Sequence, residues 1–127
     1  AGIPVSLALY SPWSPNPAPG SGRAIESSWH RYAGEVMALE RTYKFETICT
    51  TPTPSEIAPD AVRELARAKI KAYPTPYIDW NPLLYNPAGV GNLKWVEAYR
   101  FDTVHPNEAG SEAMATYAAP IIKPYVE

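Results

Sequence analysis

Residues 25–51 read IESSWHRYAGEVMALERTYKFETICTT. Within them Ile25, Trp29, Tyr32, Val36, Leu39 and Tyr43 recur at steps of four, three, four, three and four. That spacing lays one apolar stripe along a helix. The helix is expected to end near Tyr43, after which Phe45 to Thr51 reads as a β-rich strand. Upstream, Ile3 to Tyr10 is a short apolar run, with Val5, Leu7 and Leu9 on one face and Ser6, Ala8 and Tyr10 on the other. Both faces suit burial, as in a parallel strand. A Pro- and Gly-rich loop, Ser11 to Gly22, joins this strand to the helix.

Working downstream, Thr51 to Ala58 is a loop and Pro59 suits the first position of a second helix. Val62, Leu65, Ala66, Ile70 and Tyr73 give that helix an apolar face. Tyr77 to Trp80 predicts a short third strand, and Asn81 to about Phe101 a long aromatic loop. A last helix is predicted from Glu108 to Ala119, stopped at Pro120. No internal repeat is present. Helical crossovers between strands imply an α/β fold, a parallel sheet with helices on its faces. Three parallel strands leave two open edges, and open edges invite pairing. The expectation is therefore that residues 1–127 are part of a single domain rather than all of one.

The composition agrees with a packed domain. Of 127 residues, 46% are hydrophobic and 19% charged, so disorder is not expected. The net charge of -2 and the lack of a Lys/Arg cluster argue against a nucleic-acid partner. No apolar run approaches the length of a membrane span. No charged-then-apolar leader opens the sequence, so a leader is either absent or already processed. Most of the 15 prolines cluster at 12–19, 52–59, 74–87 and 120–124 and punctuate the chain. The lone Cys49 reads as a buried strand thiol. With one cysteine and two histidines there is no metal-ligand spacing, and neither a metal nor another cofactor is expected.

The sharpest chemical signal is Asp102-Thr103-Val104-His105-Pro106-Asn107-Glu108-Ala109-Gly110. An imidazole can take a proton from an alcohol and return it to a leaving group. A carboxylate three residues earlier, across a turn, can accept a bond from the other ring nitrogen and fix the tautomer. Pro106 stiffens the turn. Asn107 can cap the last helix, Glu108 sits in its first turn, and Gly110 permits close backbone packing. The plainer reading is a capped loop-to-helix junction with an incidental histidine. The whole pattern, D-x-x-H-P-N-x-x-G near the chain end after alternating strands and helices, favours the chemical one.

In this block the sequence resembles the SGNH (GDSL-type) hydrolase family, whose final block has the same Asp-x-x-His-Pro form. The element order extends the resemblance over most of the chain. It implies a flavodoxin-like three-layer α/β/α sandwich, of which this chain would supply the C-terminal three strands. It also implies that His105 is the general base and Asp102 its orienting partner, in a serine esterase acting on carboxylic ester bonds. The family's oxyanion hole uses an asparagine after the third strand. Asn16, in Tyr10-Ser11-Pro12-Trp13-Ser14-Pro15-Asn16, is the candidate, although the family's glycine-x-asparagine-aspartate string is absent. The plain alternative is a loop asparagine.

One departure matters more. The sequence contains no Gly-Asp-Ser and no G-x-S-x-G elbow. Ser11 and Ser14 lie in a loop but not on a strand-to-helix turn of the family type. The resemblance therefore implies a partner, either an N-terminal segment or a companion chain carrying the Gly-Asp-Ser nucleophile. That piece would pair with the strand Ile3 to Tyr10 and place the site beside it. The chain alone is expected to be inactive.

Trp13, Trp80, Trp95 and Tyr99 are candidates for substrate contact, with Tyr85 in the same aromatic loop, because aromatic rings stack on sugars or acyl groups. They serve equally to pack a long loop. His30 falls off its helix stripe and reads as a boundary residue. Asp79 reads as a turn or cap residue before it reads as a site carboxylate. The leading functional reading is a deacylase of an ester or acylated carbohydrate, plausibly a carbohydrate O-acetylesterase. The alternative is a non-catalytic glycan-binding or assembly module of the same fold in a larger secreted or virion protein. A purely structural fragment is the third. The Asp102/His105 pair favours the first, since a binding module has no use for it.

Overall fold

The computed structural model of the chain describes residues 7–10, 35–54, 60–89 and 94–126. The Ser11 to Gly22 loop, the first part of the long helix, His30 and Pro59 lie outside them. In chain order the elements are β1 (Leu7–Tyr10), α1 (Met37–Tyr43), β2 (Glu46–Thr50), α2 (Asp60–Lys71), β3 (Tyr77–Ile78), α3 (Asn81–Leu84), a 3-10 turn (Glu97–Tyr99) and α4 (Glu108–Val126). The strands form one parallel sheet in the order β1-β2-β3. Leu9 is opposite Ile48, Tyr10 opposite Cys49, and Cys49 opposite Tyr77. The fold is α/β with a parallel sheet and helices on both faces, as in a flavodoxin-like three-layer sandwich.

The central strand explains the layers. Residues 47–50 of β2 are all buried, as a parallel strand covered on both faces must be. Alternation sends Cys49 to one side, where it packs with Ile70 and Tyr73 of α2 and its C-terminal turn, with Val36 just before α1 and with Met37 of α1. Ile48 goes to the other side and packs with Ile78 and Ala118 of α4. Ile48 and Ile78 are at most 1% exposed, and burying each such side chain stabilises the fold by about 1.5–3 kcal/mol. Cys49 is a buried thiol, as its strand position implies, and burial pushes its pKa up.

Four expectations are corrected. In α1, Leu39 and Tyr43 are exposed, while Met37 and the preceding Val36 face the core. Glu35 and Val36 form a π-helical turn, and the extra residue of such a turn rotates everything after it. In α2, Leu65 is 63% exposed and Arg63, off the predicted apolar face, is 1% exposed. Asn81 to Phe101 is not a plain loop: Asn81–Leu84 is helical, with Pro82 in its first turn, and Tyr85 and Trp95 form an antiparallel bridge. Finally, α4 runs through Pro120 and Pro124 to Val126. An interior proline costs about 3 kcal/mol. Here Ile121, Ile122 and Tyr125, packed against the Ile48 cluster, offset that cost.

Arg63 is tolerated inside because it is fully engaged. It donates to Asn81 Oδ1 at 3.0 Å, lies 3.4 Å from Glu64 and stacks over the Tyr85 ring at 4.8 Å. Next to it Arg67 grips Asp79 with two bonds, 2.9 and 2.7 Å, and Glu64 with one at 3.0 Å. Thr51 Oγ1 and the Asn81 N–H also donate to Asp79. This network ties α2 to the carboxyl ends of β2 and β3, and Asp79 is a structural anchor there. Burial by itself would raise the Asp79 carboxyl. The bonds from Arg67 and the Asn81 N–H, with the charges of Arg67 and Lys71, hold it below the ordinary 3.8. Its contribution to stability is therefore full above about pH 4 and is lost as the pH falls through the lower folded value. We expect Asp79→Asn to destabilise the chain by about 2 kcal/mol at neutral pH and to flatten its acid unfolding transition below pH 4. Urea titrations at pH 7 and pH 3 check both.

Candidate active site

The turn before α4 is built by its own short-range bonds. The Phe101 N–H donates to the His105 carbonyl at 2.8 Å, and Arg100 and Pro106 form an antiparallel bridge. Inside the turn, Asp102 Oδ1 accepts the backbone N–H groups of Val104 and His105 at 2.8 and 2.7 Å. The same carboxylate faces the imidazole: His105 Nδ1 is 2.9 Å from Oδ2 and 3.1 Å from Oδ1. The Val104 N–H first, then the His105 side chain, push the Asp102 carboxyl down to about 2. Asp102 is thus ionised at neutral pH and only accepts. An acceptor facing Nδ1 favours the tautomer with its proton on Nδ1, which leaves the Nε2 lone pair for a substrate or nucleophile.

The helix that follows fixes where this pair sits. Tyr117 donates to the Asp79 carbonyl at 2.8 Å and lies 6.0 Å from the Trp80 ring, just past the end of β3. Burial and the Asp79 charge push its phenol up. Further along α4, Ile121, Ile122 and Tyr125 pack on the Ile48–Ile78–Ala118 cluster, as does Leu7 at the start of β1. So α4 runs opposite to the strands. Its first residue lies about 14 Å before Tyr117, on the carboxyl side of the sheet, and His105 precedes it. Ligands of open α/β sheets bind on that side.

The structure thus brings Asp102 and His105 together, as their spacing implies. Their side chains are 42% and 69% exposed, so the pair faces outward from the described residues. Trp80 is half-buried between the sheet and α4, where it packs against the Ile48 cluster. Trp95 is 2% exposed, which leaves its ring no face for a ligand; its backbone bridges Tyr85. Tyr99 lines an open groove of about 520 Å³ with Leu83, Ala109, Glu112, Ala113 and Tyr117. Asn16, Trp13, Ser11 and Ser14 lie outside the described residues. Among the described residues no group of His, Cys, Asp and Glu has the arrangement of a metal site. No helix among them is long and apolar enough to cross a membrane. The Arg63–Glu64–Arg67–Asp79 network was missed from the sequence. Its one signal was two arginines four apart on a helix, followed by an aspartate at a strand end.

A scan against protein-family models finds no match, and a search of curated proteins finds none either. Among solved structures, the chain is similar to a GDSL-like lipase from Bacteroides thetaiotaomicron VPI-5482, with a TM-score of 0.65 and 20% sequence identity. The match covers 83% of this chain and 55% of that one. It establishes a shared fold, and this chain spans about half the length of that structure.

Proposed function

We propose that the chain is the Asp-His half of a serine-type ester hydrolase of the SGNH kind. One observation carries this: an imidazole whose Nδ1 lies 2.9 Å from an ionised carboxylate, at a turn on the carboxyl side of a parallel sheet. The fold shared with a GDSL-like lipase supports it. In this reading Asp102 holds the tautomer and stabilises the imidazolium. His105 Nε2 takes the proton of a serine hydroxyl as that oxygen attacks the ester carbonyl, then returns it to the departing alcohol. Asn16 is the candidate donor to the developing oxyanion. The substrate class is a carboxylic ester, with an O-acetylated carbohydrate as the leading choice, and Trp13 and Tyr99 as candidate contacts.

The serine lies outside these 127 residues, on an N-terminal portion or a companion chain. The absence of Gly-Asp-Ser motivates this, and so does the part of the lipase fold that the match leaves uncovered. The test is the intact mass of the native assembly with N-terminal sequencing of each component. A component bearing Gly-Asp-Ser supports the reading. An assembly containing these residues and no such serine sinks it.

A glycan-binding or assembly module without catalysis is the alternative. The outward exposure of the pair is compatible with it, but the built tautomer lock is not needed for binding.

A further inference from the structure

Asn107 is more than a helix cap. Its Oδ1 accepts the Gly110 N–H at 2.7 Å, the ordinary N-cap bond. Its Nδ2 reaches the other way and donates to two carbonyls of the preceding segment, Ala98 at 2.9 Å and Arg100 at 3.2 Å. Its backbone N–H donates to a third, Tyr99, at 2.9 Å. One residue thus clamps the 3-10 turn and its exit to the first turn of α4. The Asp102–His105 turn is the loop closed between those two clamped ends.

Gly110 lets the clamp close. A Cβ there would run into the Tyr99 carbonyl oxygen and sit 3.1 Å from the Pro106 Cβ. Any side chain at 110 pushes the 3-10 turn off the helix. The bonds within the turn, from the Val104 and His105 N–H groups to Asp102, fix its internal shape. They do not fix where the turn stands relative to the sheet. The clamp does, because Trp80 and Tyr117 anchor α4 to the end of β3.

We infer that Asn107 is a positioning residue: its side-chain amide, bonded to the Ala98 and Arg100 carbonyls, sets where His105 Nε2 points. The catalytic consequence rests on the hydrolase reading; the conformational one does not. Asparagine suits the position because it offers two N–H donors on one side and an acceptor on the other. Serine and aspartate cap helices as well, but serine brings one short O–H in place of two N–H donors and aspartate brings none at neutral pH.

The experiment uses that difference. Asn107→Ser keeps a cap acceptor for Gly110 and loses both amide N–H donors to Ala98 and Arg100, whereas Asn107→Ala loses cap and clamp. On the full chain, amide exchange at Phe101 and Asn107 and the side-chain coupling constants of His105 are measured by NMR, with thermal melting alongside. Asn107→Ser should melt within a few degrees of wild type. Its Phe101 and Asn107 amides should exchange at least tenfold faster, and the His105 rotamer should average. Gly110→Ala, which opens the same clamp from the other side, should give the same pattern and serves if Asn107→Ser folds poorly. Unchanged exchange and couplings in both variants would overturn the inference. In an assembly that hydrolyses ester, Asn107→Ser should lower kcat tenfold or more with KM within twofold, and unchanged kcat would also overturn it. A wild-type assembly inert to esters counts against the hydrolase reading, while exchange and couplings still decide this one.

Discussion

In an assembly that carries the proposed serine, His105→Ala is expected to lower turnover of a small acetyl ester by roughly 10⁴- to 10⁶-fold. The size follows from the role. A base that removes the serine proton acts in the transition state and leaves the nucleophile weak when it is gone. A 10⁴-fold loss corresponds to about 5.5 kcal/mol of barrier. KM should change little, because His105 contributes mainly to the transition state rather than to ground-state binding. The side chain is 69% exposed, so the substitution leaves no cavity and the fold should persist. Steady-state kinetics with an unchanged melting temperature check this. Equal turnover in wild type and variant would remove His105 from the catalytic machinery.

The second large effect is loss of function by separation. The 127-residue chain alone should hydrolyse no ester above the rate of free imidazole, and the portion bearing Gly-Asp-Ser should restore activity. An imidazole and a carboxylate without a nucleophile can at best activate water. Covalent catalysis needs a serine within roughly 2.6–3.2 Å of the base. Among the described residues β1 borders the sheet, and Leu9 on it is 56% exposed. An apolar groove of about 600 Å³ lies beside it, walled by Met114, Ala118 and Ile122 of α4. A portion bearing Gly-Asp-Ser is proposed to dock at this edge. Titrating it against the chain should raise activity to a plateau at a fixed ratio. Full activity of the chain alone would contradict the divided triad.

What the sequence revealed of this arrangement was set by distance along the chain. The Asp102–His105 contact is three residues long, made by one turn, and D-x-x-H-P-N carries it whole. The alternation of helix and strand is also local, so the parallel sheet through Glu46–Thr50 could be anticipated from periodicity. The failures came where a residue far away decides. Arg63 lies off the predicted apolar face, yet it is buried among Asn81, Glu64 and Tyr85. Leu65 scored as apolar yet points outward. A π-helical turn at Glu35–Val36 precedes α1, where Met37 packs inward and Leu39 and Tyr43 are exposed, and apolar spacing carries no sign of it. Pro120 should have ended α4, but the packing of Ile121, Ile122 and Tyr125 outweighed its penalty. The Asn107 cap was legible, while its bonds to Ala98 and Arg100 were not, since they depend on the path of the preceding segment.

The central claim is that His105 activates a serine that lies outside these 127 residues. An alkyl phosphonate ester, which reacts with activated serines, tests it most directly when applied to the native assembly and followed by peptide mass mapping. The predicted result is one modified serine, within Gly-Asp-Ser on another portion or chain, with labelling abolished by His105→Ala. Modification of Ser11 or Ser14, or labelling that survives His105→Ala, would contradict it.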